Sequence, residues 1–137
     1  MRIIIKNSNR KNRIRELIVK VLYDETKPIV RTQKDQYGRL IVTTWKERKT
    51  TVSAREYFQE AKNDKMTVYY GTTVCDYRDA KQFNKKTGRC IAWMNCIDEL
   101  YNHGVINEHE ADMLDMIELD ATSFEIDMDK HTVSKKY

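Results

Sequence analysis

The stretch from Cys75 to Cys96 holds the densest set of side chains able to do chemistry. On a helix turning about 100° per residue, Arg78, Lys81, Lys85 and Arg89 recur three or four apart and fall on one line. A solvated basic face is the plainer reading of such a line. The functional reading is an anion site. Gly88 sits inside the helix, where glycine costs about 1 kcal/mol relative to alanine and lets a backbone or ligand come close. Arg89 follows it, and a guanidinium offers planar, bidentate phosphate recognition that a lysine does not match. A strand–turn–helix order would aim the free N–H groups of the helix start out of the sheet edge. Tyr69, Tyr70, Tyr77 and Phe83 are near in sequence, and one of them can stack on a base. Asn95 and Glu99 lie on the polar side beyond the basic line. The candidate ligand-binding residues are therefore Arg78, Phe83, Lys85, Arg89 and Asn95.

Other constellations are weaker. His103, His109 and His131 have no metal-ligand spacing, and no HExxH exists. Cys75, Cys90 and Cys96 form no CxxC pair, so a zinc site with His103 lacks the short spacing such sites use. Buried free thiols in a reducing cytoplasm are expected instead. Asp127, Asp129 and His131 echo the start of a calcium loop without its glycine or distal glutamate. There is no GxSxG elbow and no cysteine–histidine pair to serve as a nucleophile. No metal, no cofactor and no catalysis are expected. Arg10, Lys11, Arg13 and Arg15 could make a phosphate-contacting arm with salt-sensitive, backbone-only affinity; a charged turn is the plainer reading.

The elements that must position these groups read as follows. Residues 2–6 are a short strand. Residues 13–23 fit either state: Ile14, Leu17, Ile18, Val21 and Leu22 make a helical stripe, while the run from Ile18 to Tyr23 has strand propensity; the stripe favours helix. Residues 29–33 and 39–45 flank the turn Asp35–Gly38 and predict a hairpin. Ser53 and Glu56 have capping-box spacing, which predicts a helix over 54–63. Residues 66–70 begin a strand reaching Cys75. Asp79 and Gln82 open a long helix that runs to about Tyr101, with Cys90, Trp93, Met94, Ile97, Leu100 and Tyr101 as its core face, and His103–Gly104 stops it. Asn107 and Glu110 start a short helix ending near Ile117. Residues 122–127 make a last strand, and 130–137 fray. The fold class is α+β: one domain over 1–137, a mostly antiparallel sheet packed against two or three helices.

The 137 residues carry a net charge of +4, which hides a gradient. Residues 1–50 hold +9, residues 51–90 hold +3 and residues 91–137 hold −8. The pI of about 8.9 lies just under the value of about 9 usual for a dedicated DNA binder, so that case is borderline. No run of about 18 apolar residues exists, so no membrane span or membrane partner is expected. Four glycines and one proline assemble no GxGxxG and no phosphate-binding loop.

The segment from Asp79 to Ala92 resembles a run in small proteins of tailed bacteriophages, with a D-x-F-x-K-K-x-G-R-x-I-A pattern. Here the first spacing is longer, with Asp79 four positions before Phe83. The run is most similar to that of the Thoeris anti-defence sponge proteins, and it spans about a tenth of the chain. The resemblance implies a non-enzymatic homo-oligomer in the host cytoplasm that traps a phosphorylated nucleotide signal of the cyclic ADP-ribose class between subunits. Phe83 would face the ring system, and Lys85 and Arg89 the phosphates. A nucleic-acid binder using the basic front and an inhibitor docking on a host protein are the alternatives.

Overall fold

The computed structural model describes residues 1–11, 13–25, 27–57, 67–75, 85–120 and 122–136, with the backbone alone at 45 and 75. These residues build an α+β fold of eight strands and two helices. Six strands form one mixed sheet. Its order is β6 (Tyr69–Cys75), β5 (Arg48–Glu56), β2 (Ile14–Glu25), β1 (Arg2–Lys6), β7 (Ser123–Asp127) and β8 (Thr132–Lys136). Only β1 and β7 run parallel; every other neighbouring pair is antiparallel.

Period-two alternation puts Ile3 and Ile5, Leu17 and Val19, Val52 and Ala54, and Phe124 and Ile126 on one face of this sheet. Both helices, α1 (Lys85–Asn102) and α2 (Glu108–Asp115), contribute to the single buried cluster on that face. The Trp93 indole lies between them and donates to the Leu114 carbonyl at 3.0 Å.

Three expectations are corrected here. Residues 14–25 are strand, not helix. Their segment is gripped by β1 on one side and β5 on the other, and the Leu17, Val19, Val21 alternation serves that pairing better than a helical stripe would. Ser53–Glu56 is also strand: Ser53 pairs with Lys20 and Tyr70, so its capping-box spacing is coincidental. The rest of that helix, 58–63, lies outside the described residues. Residues 132–136 do not fray; they pair with β7, and Lys135 and Lys136 reach Asp120 at 2.6 Å and Glu125 at 2.5 Å.

The core face of α1 is rotated from the expected one. Gly88, Ala92, Trp93, Cys96, Ile97 and Leu100 are buried, whereas Cys90, Met94 and Tyr101 are exposed. Gly71 on β6 is the cause. A Cβ there would lie 2.0 Å from the Ala92 carbonyl oxygen and 2.2 Å from the Cys96 nitrogen. Helix and strand backbones touch at this point, and only small side chains fit beside the contact. Cys96 is buried, which pushes its thiol pKa up to about 12.

The end of α1 and the start of α2 follow the sequence, while the expected start of the long helix at Asp79 and Gln82 lies outside the described residues. Gly104, at φ 74°, closes α1 with Val105 N–H donating to Leu100 O and Gly104 N–H to Tyr101 O. Asn107 caps α2, and both halves of its box with Glu110 are made.

The remaining strands, β3 (Ile29–Lys34) and β4 (Leu40–Trp45), form a separate two-stranded ladder. Its turn is held by Asp35 Oδ1, which accepts from the Tyr37 and Arg39 N–H groups at 2.9 and 2.8 Å. The β2–β5 ladder ends at Glu25 opposite Arg48, and the β3–β4 ladder begins at Ile29 opposite Trp45. The two ladders are thus successive lengths of one long hairpin, with a one-residue register shift beside Pro28.

Candidate functional site

Where the long hairpin leaves the sheet, its two strands and the first turn of α1 enclose an open cleft of about 310 Å3. Tyr23, Asp24 and Glu25 of β2, Arg48 and Lys49 of β5, and Lys85 of α1 line it. Lys85 belongs to the first described turn of α1, and its ammonium stands over the Tyr23 ring at 5.1 Å from the centroid. Tyr23 is placed by register opposite Thr50, and Glu25 opposite Arg48. Glu25 also meets Lys46 at 3.8 Å between exposed side chains.

One helical turn further along, Arg89 is half-buried, and its Nε is buried without a hydrogen-bond partner among the described residues. Thr50 is fully buried beside this region, and its Oγ1 has no partner there either. Buried donors left in this condition are uncommon, and a ligand or water usually accounts for them.

Of the sequence-derived candidates, the structure brings Lys85 to the cleft and Arg89 one turn behind it. Asn95 is elsewhere: its Nδ2 donates to the Thr72 carbonyl at 2.9 Å, so it fastens α1 to β6. At about 1.5 Å per residue it stands roughly 15 Å along the helix from Lys85. Arg78 and Phe83 lie outside the described residues. The residues missed were Tyr23, Asp24, Glu25, Arg48 and Lys49. The signal was present in the Asp35–Gly38 turn: extending its antiparallel register inward sets residues 23–25 against 49–51, one residue from their observed partners 48–50. A helical reading of 13–23 hid it.

Two residues of the basic front, Arg10 and Arg15, meet a buried carboxylate, while Lys11 and Arg13 are exposed. Arg10 Nη2 donates to Glu110 Oε1 at 2.6 Å, and Arg15 Nη2 donates to Glu110 Oε2. Arg15 Nη1 also donates to the Val105 carbonyl at 2.6 Å. The Glu110 side chain is wholly buried. Burial pushes its pKa up, but the Asn107 N–H and the Arg10 and Arg15 guanidiniums outweigh that, and the carboxyl stays below its ordinary value. This triad pins the turn after β1 and the start of β2 to the N-terminus of α2.

Among the described residues no group of His, Cys, Asp and Glu is arranged to hold a metal ion. Of the thiols, Cys96 is buried as expected, but Cys90 is exposed. No described helix is long and apolar enough to cross a membrane.

An α+β scaffold with a mixed-charge cleft between a hairpin and a helix is what fold and candidate site define. Compared with known proteins, the chain matches no family model, no curated protein and no solved structure.

Proposed function

We propose that the cleft binds a small phosphorylated nucleotide and holds it without turnover. The observation that carries this reading is the mixture of groups around one cleft. Arg48, Lys49 and Lys85 supply cations for phosphate, Tyr23 supplies a ring face, and Asp24 and Glu25 supply acceptors for sugar hydroxyls. A simple anion would have no use for the two carboxylates. The volume is at the lower end of the roughly 300–1,000 Å3 of small-molecule sites. It suits one phosphorylated nucleoside moiety per subunit, in keeping with a homo-oligomer whose second subunit covers the rest. The resemblance of residues 79–92 to the anti-defence sponge proteins supports a signal of the cyclic ADP-ribose class and action in a host cytoplasm. Engagement of Arg10 and Arg15 by Glu110 removes half of the basic arm on which a nucleic-acid reading rested.

The test is mass spectrometry of what heat releases from the pure protein after incubation with a nucleotide-rich cell extract. One intact nucleotide, near one per cleft, is expected, and Lys85→Ala and Arg89→Ala should each lose it while remaining folded. A chemically altered product would make the protein an enzyme. An empty filtrate from folded protein would point to a macromolecular partner instead.

A further inference from the structure

The outer length of the long hairpin is unlike anything else in the molecule. Among the described residues, β3 and β4 make their main contacts with each other, and no third strand joins them. At about 3.4 Å per residue the six-residue strands form an arm roughly 20 Å long. A lone two-stranded ribbon is marginal in water. Register places Val30, Thr32 and Lys34 beside Thr44, Val42 and Leu40 on one face. Val30, Val42 and Leu40 there are 62%, 57% and 63% exposed. An apolar row of this kind on a free arm marks an interaction surface. The arm is also basic: residues 27–47 hold five Lys or Arg against two acids.

The complementary surface lies on the same chain. Ile91, Met94, Asp98 and Tyr101 recur at helical spacing and form an exposed stripe along the outside of α1. Met116, just past α2, is 72% exposed. Residues 98–118 hold seven acids and no Lys or Arg; Glu110 is buried against Arg10 and Arg15 and Glu118 meets Lys86 at 3.3 Å, which leaves the exposed Asp98, Asp112 and Asp115 to give the outer face its negative charge. A basic, apolar arm and an acidic, apolar helix face are matched in both charge and hydrophobicity.

We propose that the arm docks on the outer face of α1 and α2 of a second copy, and that the exchange is reciprocal, giving a two-fold dimer. A ribbon of this length, docked twice, is on the scale of the roughly 800 Å2 per partner of a standard interface. Nucleic acid fits less well. Phosphates leave Val30, Leu40 and Val42 uncovered, and the acidic helix face repels them. The proposal does not depend on what fills the cleft.

Sedimentation of the full chain at micromolar concentration tests it. A species of twice 16.4 kDa is expected. The arm variant Leu40→Glu/Val42→Glu and the helix-face variant Ile91→Glu/Met94→Glu should each weaken self-association at least about tenfold, because apolar anchors dominate interfaces. Unchanged circular dichroism will show that each remains folded. Mixing the two variants restores one of the two contacts, so a heterodimer should form where neither variant pairs with itself. A monomeric wild type, or a dimer indifferent to both variants, overturns the proposal. So does a monomer that shifts duplex DNA with steep salt dependence and loses the shift in Arg31→Ala/Lys34→Ala.

Discussion

The two halves of the long hairpin make an instructive pair. The inner half, β2 with β5, and the outer half, β3 with β4, have the same antiparallel pairing and the same β-branched richness. Leu17, Val19, Val52 and Ala54 of the inner half are buried, because α1 and the neighbouring strands cover them. Val30, Leu40 and Val42 of the outer half are open to solvent. Local propensity made both into strands, and the presence or absence of a helix layer alone decided which became core. The cleft sits where one regime gives way to the other, so its walls are rigid on the sheet side and adjoin a free arm on the other.

The comparison can be broken first at Glu110. Glu110→Ala leaves the buried side chain of Arg15 and the half-buried one of Arg10 without this carboxylate, and should cost about 3 kcal/mol. The urea midpoint should fall accordingly while the slope is unchanged. Gly71→Ala comes next. Its Cβ would meet the α1 backbone, which cannot yield as a side-chain end can. A loss of about 1–3 kcal/mol or more in thermal unfolding is expected.

Acid should act on the same packed half. The folded-state pKa of Glu110 is depressed, so its contribution is fully present above the ordinary carboxylate value near 4.5 and is lost as pH falls through the folded pKa. Glu125, held down to about 2 by Lys136 and Lys6, acts in the same direction. Stability measured from pH 7 to pH 2 should therefore decline only below about 4.5, and Glu110→Gln should flatten that decline. An undiminished decline in that variant would show that Glu110 is not the group responsible.

The smallest effect belongs to the arm. At concentrations where the chain is monomeric, Leu40→Ser should change unfolding stability by no more than about 0.5 kcal/mol, as exposed positions do. A cost of several kcal/mol would mean that the arm is packed against the body, and the contrast between the two halves would disappear.

Much of the fold was legible beforehand. The Asp35–Gly38 turn, the Gly104 stop and the Asn107–Glu110 box each use local chemistry that works wherever the segment lies, and all three stand in the structure. The Ser53–Glu56 box has the same spacing as the Asn107–Glu110 one yet forms strand. Its backbone groups had partners waiting on both sides, in β2 and β6. Residues 14–25 were misread for the same reason. Of the cleft, Lys85 and Arg89 were visible as one basic line. Tyr23, Asp24, Glu25, Arg48 and Lys49 were not, because their meeting depends on a hairpin register running more than ten residues in from the turn.

The sequence by itself determined the α+β class, the turn chemistry and the helix ends, since these follow from interactions within a few residues. It also determined the basic-to-acidic gradient that makes the arm and the outer helix face complementary. Tertiary structure alone decided which face of α1 is buried. Gly71 admits the helix backbone onto β6 and turns Cys90, Met94 and Tyr101 outward, a contact between segments some twenty residues apart. It likewise decided that Arg10 and Arg15 serve a buried carboxylate 100 and 95 positions away, in neither case by local spacing, but because a charge taken out of water must find its partner wherever the chain can bring one.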